Sequence, residues 1–536
     1  MKIDRFKYTE WATAILLTLT ILVLLMVRAQ HAGALWRDEC ASVQLAEMPT
    51  LSNVLKNFQH ESFPVVFPFT LRAYAAVFGT SDAPFRAFGV AVGTMMLIAI
   101  WLNARLLTDG PPLLSLVLLG LNSTFLIWGT SVRAYGIGSV AVLLAFGLIG
   151  KMLLQPITSR VVAALLASLA SVQFLLYNSV LLVAIAAAVT AVCLVRGTRR
   201  PLIAIGVIGC ACALSVLPYI GSFAHESQST IVFGGPVTFG WFWEQLRLAF
   251  GNPVNIMTAI WVGLFVAVAT GAAVRLYVIW AKKPVPEWDL LLFGLLAPVA
   301  SIVSYFVFLK IVSYRTREWY YLALLSILAG TIDLVVVVLS RIKWIRISRL
   351  AFVIAALVGM PLADWPKLQE RLTNLDFVAR KLESVAQSDD LIVVNPWYLG
   401  VTFNSYYHAT TPWVTVPTMS DHKVHRFDLL KTKMMSSTPL DDLYEMIGRT
   451  LQSGNRVWFV GGVKLLPPGR VAVTLPPAPN SEFGWSGDAY AESWSQQLGD
   501  FLRRHASAGQ FIPVSTGGPV NELENVSLLV ASGWRE

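Results

Sequence analysis

The sequence predicts an α-helical polytopic membrane protein that carries a soluble α/β domain at its C-terminal end. Three observations predict it. Of 536 residues, 55% are hydrophobic and only 14% charged, where soluble domains carry about 25% charged residues. Apolar runs near the length of about 20 residues that crosses a bilayer as a helix recur through the first two thirds of the chain. At "ADWPKLQERLTN", residues 363–374, the runs stop and the composition becomes that of a soluble protein.

The formal charge of +9 raises nucleic acid as a partner. The basic residues instead form short clusters between apolar runs, where they set membrane topology, so no nucleic acid is expected. Cys193, Cys210 and Cys212 lie inside apolar runs and Cys40 has no evident partner, so neither a disulfide nor a cysteine metal site is expected.

The first run, residues 11–27, is long for a signal peptide and is read as a retained first helix. Further spans are predicted at 86–107, 111–129, 135–154, 160–177, 178–196, 201–222, 255–280, 289–310, 319–340 and 347–363, eleven in all. Residues 63–79, "FPVVFPFTLRAYAAVFG", are apolar but short and hold Pro64, Pro68 and Arg72. If this segment lies along the interface, Lys2, Arg5 and Lys7, Arg105, Lys151 with Arg160, Arg196 with Arg199 and Arg200, Lys282 with Lys283, and Arg341, Lys343, Arg346 and Arg349 all fall on one, cytoplasmic, side. If it crosses, the later clusters oppose the N-terminus. The interfacial reading makes residues 28–85 one large non-cytoplasmic loop, joined on that face by 129–135, 223–254, 310–319 and everything beyond about 364. The transmembrane domain is therefore placed at 1–364 and the soluble domain at 365–536.

In the soluble part, "FVARKLESVAQ" (377–387) and "SWSQQLGDFLRRHA" (493–506) have helical spacing. "DLIVVNP" (390–396), "NRVWFVGG" (455–462) and "VSLLVAS" (526–532) read as strands. The alternation suggests a small α/β domain. The Pro- and Gly-rich stretch 466–488 reads as a long loop.

Four groups could carry chemistry. "AGALWRDECASVQLAE", residues 32–47, sets Asp38 beside Glu39 just beyond the first span. A carboxylate held within reach of a hydroxyl can take its proton; from spacing alone, a solvated charged turn with Trp36 as an interfacial anchor is the favoured reading. His60 and Glu61 precede the Pro-broken segment and could shape a pocket, or form a plain polar turn. Arg133 lies alone between two spans, where an ionisable side chain points to function and its fork suits phosphate, or it snorkels to head groups. Lys310, Arg315 and Arg317 form a basic cluster on the non-cytoplasmic side, fit for a lipid phosphate or for anionic head groups in general. Glu226, Glu244 and Arg247 are assigned no chemistry. His408, His422 and His425 fit no ligand spacing and read as surface or core residues.

Over residues 10–330 the chain resembles the GT-C fold integral-membrane glycosyltransferases, specifically the protein O-mannosyltransferase and aminoarabinose (lipid A) transferase superfamily. "LWRDEC" looks like the first-loop Asp-Glu motif of that group. "HESFPVVFPFTLRAYAAVFGTSDAPFRAFGVAVG" is similar to its acidic residue before a Pro-Pro segment, then Phe-Gly, then an Arg opening the next span, here Glu61, Pro64, Phe78-Gly79 and Arg86. "FLIWGTSVRAYG" resembles its Arg-x-Tyr element, carried by Arg133 and Tyr135. The chain departs from the pattern at Val65, at Ser131, in "REWYYLALLS", which lacks a Pro, and in the soluble tail, which matches no motif.

The resemblance implies a polyprenyl-phosphate-linked sugar as donor and an inverting, single-displacement transfer on the periplasmic face of the inner membrane. The acceptor would be a hydroxyl of an envelope glycolipid such as lipopolysaccharide, a polysaccharide or a protein. Asp38 would be the general base. Glu39 and Glu61 would orient Asp38 or the acceptor, or hold a divalent cation if one is used. Arg86 and Arg133 would position the loop or the donor phosphate. Charge and position add Arg315 and Arg317 as phosphate clamps. Two other classes stay open: a transporter or flippase of lipid-linked sugars, against which the sequence offers no paired repeats or broken helices, and a non-catalytic scaffold whose soluble domain binds glycan.

Overall fold

The computed structural model describes residues 5–61, 63–221, 235–279, 286–340, 342–467, 469–479 and 486–536. Lys2, Glu226, Lys282, Lys283 and Arg341, and parts of the 223–254 and 466–488 loops, lie outside them.

Among the described residues, nine helices are long and apolar enough to span: Phe6–His31, Asp82–Leu107, Ala134–Leu154, Asn178–Arg196, Arg199–Tyr219, Val254–Ile279, Glu287–Val312, Glu318–Leu339 and Lys343–Leu368. Two of the eleven expected spans differ. Residues 160–177 yield a shorter apolar helix, Thr158–Phe174, of 17 residues. Residues 111–129 are not a continuous span. After Pro111 and Pro112 one helical turn passes into two π-helical turns, Leu116–Gly120 and Phe125–Gly129, separated by a break. Asn122 explains the break. Its side-chain oxygen accepts from the Thr124 amide at 2.7 Å, starting the second piece, and its amide donates to the carbonyls of Ala249 and Phe250 at 3.1 and 3.0 Å. The segment is almost wholly buried, so protein rather than lipid meets its freed backbone groups. The sequence reading that no helix is broken is thus corrected.

Side-chain contacts fix the two ends of the bundle. Glu10 joins Arg346 at 2.9 Å and Arg349 at 2.5 Å, so Arg5–His31 and Lys343–Leu368 start at the same end. Asp289 pairs with Arg196, and Glu287 with Arg275 at 2.7 Å, at that end too. At the other end Arg28 donates to the carbonyl of Leu368 at 3.3 Å, and Asn178 to that of Gly138 at 2.9 Å. The basic clusters at residues 196 and 346–349 therefore share one end, and the first loop sits at the opposite one.

In that loop, Arg37–Ala46 forms a helix that buries Cys40, Ala41, Val43, Leu45 and Ala46. Val66–Phe78 follows as a helix of 13 residues. At 1.5 Å per residue it spans about 20 Å, too short for a hydrocarbon core of about 30 Å, and Val77 and Phe78 at its end are exposed. Arg72, which made this segment ambiguous, donates to the carbonyls of Ala46 and Met48 at 2.8 and 2.6 Å. It thereby satisfies acceptors left open where the loop helix ends.

The last spanning helix ends at Leu368 and the next begins at Leu375. Five strands follow: β1 (Leu391–Asn395), β2 (Trp413–Thr415), β3 (Val457–Gly461), β4 (Ala506–Ile512) and β5 (Leu528–Trp534). Their order is β2-β1-β3-β5-β4. β1 is parallel to β2 and β3, with Val393 beside Phe459, while β5 runs antiparallel to β3 and β4. Ile392 and Val394 face helices Leu375–Val385 and Leu399–Tyr406; Leu391 and Val393 face Asp441–Gln452 and Gly487–His505. The expected α/β character holds. β2, β4 and three helices were not foreseen, because β2 is three residues long and β4 is mostly exposed and lacks an apolar face.

Candidate active site

Asp38 and Glu39 stand in the first turn of helix Arg37–Ala46, where carboxylates complement the helix dipole. Their environments are opposite. Glu39 is fully buried. Its Oε2 accepts from the Trp36 amide at 3.2 Å, closing the helix start, and its Oε1 from the Val132 amide at 2.9 Å. Arg86 grips both oxygens, at 2.8 and 3.0 Å, and also donates to the carbonyls of Gly33 at 3.0 Å and Ala34 at 2.7 Å. This closes the loop onto helix Asp82–Leu107, which begins four residues before Arg86 rather than at it.

The second buried pair joins Glu61 and Arg133 at 2.5 Å. The same Arg133 nitrogen donates to the Asp38 carbonyl at 2.9 Å and to Ser42 Oγ at 3.0 Å, and the guanidinium lies 4.3 Å from the centre of the Phe63 ring. Burial works against the charge on Arg133, but Glu61 and Asp38 outweigh it and keep the guanidinium firmly protonated. Burial likewise opposes ionisation of Glu61, yet His425 and Arg133 hold it below the usual range. Tyr135 is buried against Phe63 and Tyr320, with ring centres 5.6 and 5.1 Å away.

The close approach of these segments needs small residues. A Cβ on Gly89 would meet the Thr130 carbonyl oxygen at 2.1 Å, and one on Gly136 the Gly129 oxygen at 1.8 Å. Beneath the loop helix Trp36, Trp128 and Trp319 pack with ring centres 4.6 to 6.0 Å apart.

Asp38 is the member left open. Its side chain is 18% exposed, with Arg37 Nε at 3.5 Å and the His425 ring nitrogen Nε2 at 3.7 Å. The structure thus brings Asp38, Glu39, Glu61, Arg86, Arg133 and Tyr135 together. Arg315 and Arg317 are exposed, Arg315 against Trp241 at 5.2 Å. Among the described residues neither makes an ion pair, and neither joins the carboxylate cluster.

Sequence reasoning missed what the C-terminal domain contributes. His425 is buried, with Nδ1 3.0 Å from Glu61 Oε1. Glu524, also buried, accepts from the Arg37 amide at 3.1 Å and from Thr402. Burial pushes its pKa up to about 7 despite the nearby Arg37. Tyr406 accepts from the Leu35 amide and donates to Asp82, each at 2.7 Å, and its hydroxyl is pushed far up by burial. No single-sequence pattern pairs residues more than 300 positions apart, so only the polar character of these side chains could have drawn attention.

Among the described residues, no three His, Cys, Asp or Glu side chains are set to hold a metal ion. Glu39 and Glu61 have their oxygens engaged by Arg86, Arg133 and His425, so these two carboxylates are not arranged to hold a divalent cation.

No protein-family model matches the chain, and no curated protein does. Solved structures do. ArnT from Cupriavidus metallidurans bound to undecaprenyl phosphate superposes with a TM-score of 0.50 at 11% identity, over 84% of this chain and 93% of that one. The Archaeoglobus fulgidus oligosaccharyltransferase in complex with Zn and sulfate gives 0.51 at 11% identity, over 95% and 72%. The same enzyme tethered to an acceptor peptide gives 0.50 at 9% identity, over 96% and 74%. The chain is a polytopic helical membrane protein with the GT-C fold and a C-terminal α/β domain.

Proposed function

We propose that the protein is a glycosyltransferase that moves a sugar from a polyprenyl-phosphate-linked donor to a hydroxyl of an envelope glycolipid, polysaccharide or protein. The observation that carries this reading is the contrast within the first-loop cluster. Glu39 and Glu61 are spent on arginines, whereas Asp38 keeps an accessible carboxylate beside them. The undecaprenyl phosphate in the ArnT structure supports a lipid phosphate as the donor's chemical class.

In the reaction, the acceptor oxygen attacks the anomeric carbon opposite the bond to phosphate. Its proton passes to Asp38, the carbon–oxygen bond breaks, and the electron pair leaves with the lipid phosphate, inverting the centre. Glu39 and Arg86 fix the helix that carries Asp38; Glu61 and Arg133 fix its backbone carbonyl and the facing segment. Arg37, 20% exposed beside Asp38, and the exposed Arg315 and Arg317 supply positive charge for the leaving phosphate. We place this site and residues 365–536 on the periplasmic face of the inner membrane, opposite the basic end of the bundle.

The test is sugar transfer from undecaprenyl-phosphate sugars by the purified full chain, wild type against Asp38→Asn. General-base assistance is worth about 10²–10⁴ in rate, so Asp38→Asn should lose that much while folding normally. Equal rates would remove Asp38 as base; lipid movement across vesicles without any transfer would favour a flippase.

A further inference from the structure

His425 belongs to the C-terminal domain, yet its ring lies between the two carboxylates of the first loop. Nδ1 stands 3.0 Å from Glu61 Oε1, and the His425 backbone amide points at the same oxygen from 3.4 Å. Nε2 faces Asp38 Oδ1 at 3.7 Å. Glu61 is held ionised by Arg133 and His425, so it only accepts hydrogen bonds. Nδ1 must therefore be the protonated nitrogen whatever the charge of the ring.

The ring is built into place. Arg426, its neighbour, binds Asp421 at 2.8 Å and Asp428 at 2.7 Å, locking the turn that presents His425. Phe427 stacks on the imidazole at 5.8 Å and Trp397 meets it edge-on at 6.2 Å. The domain is pinned to the loop helix on both sides of this contact: Gln44 donates to the Val401 carbonyl at 3.0 Å, Asn404 donates to Gln44 at 2.5 Å, and Glu524 receives the Arg37 amide.

We propose that His425 is a positioning residue for the first-loop site, delivered by the C-terminal domain. Its Nδ1–H fixes Glu61, and its Nε2 fills the space beside Asp38 without engaging it in a short hydrogen bond. The ring thereby bounds the pocket beside the carboxylate, through its hold on Glu61, and leaves it open to an incoming hydroxyl. This gives the α/β domain a role in completing the membrane-side site. The catalytic part rests on the glycosyl-transfer reading; the tautomer does not.

Two measurements test it on the full chain. In ¹⁵N-histidine spectra followed upward in pH, with His425 assigned by its loss in His425→Asn, the proton retained by the neutral ring should be the one on Nδ1; the opposite neutral tautomer would overturn the proposal even if no sugar is ever transferred. On whichever undecaprenyl-phosphate sugar the wild type uses, His425→Ala should lower kcat by up to about 10²-fold, the size of effect expected from misplacing a reacting group by an ångström, with KM little changed. His425→Asn, whose amide stands where Nδ1–H stood, should recover most of kcat. Wild-type kcat in His425→Ala, or no recovery in His425→Asn, would also overturn it.

Discussion

The loop helix Arg37–Ala46 is held on two sides by different chemistry. On the membrane side two arginines, Arg86 and Arg133, clamp Glu39, Glu61 and the Asp38 carbonyl. On the side of the C-terminal domain the partners are His425, Glu524, Asn404 and Tyr406. Arginine stays charged at any physiological pH, so the first grip is made by fixed positive charges. The second is made of a histidine, a buried acid, an amide and a phenol. The difference teaches that the helix is tied to the bundle by ion pairs, while its hold on the domain includes one buried acid, Glu524, raised to about 7.

The sharpest way to break this contrast is Arg86→Ala. It strands a fully buried carboxylate, and losing one partner of a buried pair costs about 3–5 kcal/mol. Thermal unfolding in detergent should show it; a loss under about 1 kcal/mol would mean that Glu39 is not held as a buried charge.

Next comes the domain side. Burial raises Glu524 to about 7, so the folded state favours the neutral acid. The stability it contributes is complete below the ordinary glutamate range near pH 4.5 and is lost as pH climbs through about 7. The span corresponds to on the order of 3 kcal/mol. Melting curves of the wild type should drift downward from pH 5 to pH 8 and those of Glu524→Gln should drift less; parallel profiles would sink the idea.

Glu61→Gln is milder. It keeps the shape and an acceptor oxygen but removes the charge facing Arg133, for an expected cost of about 2 kcal/mol in unfolding free energy. A cost equal to that of Arg86→Ala would mean that the charge of Glu61, rather than its shape and acceptor oxygen, holds Arg133. Smallest is Asn404→Ala, which deletes one hydrogen bond to Gln44 and should cost about 1 kcal/mol. A larger loss would make the domain contact as rigid as the membrane one.

Much of this was legible in the sequence. Spans such as Val254–Ile279 announce themselves because a lipid-facing helix must be apolar along a fixed length. β1 and β3 were visible because central strands are apolar on both faces, and all five residues of each are buried. The run 111–129 misled because hydropathy registers apolar residues, not what surrounds them. Asn122 breaks that helix with partners near residue 250. Glu39 and Arg86 were both picked out, but their mutual grip was not, since residues 47 positions apart meet only through the fold.

By itself the sequence determined the membrane class, the position of most helices, the presence of a C-terminal α/β domain and the polar residues that the first loop carries. It could do so because periodicity, length and charge placement are local properties. Which of the adjacent carboxylates is buried and which is open, and that His425 and Glu524 reach the first loop from the far end of the chain, only the tertiary structure decided. Burial and hydrogen-bond partnership are set by what packs against a residue, and here those neighbours lie hundreds of positions away.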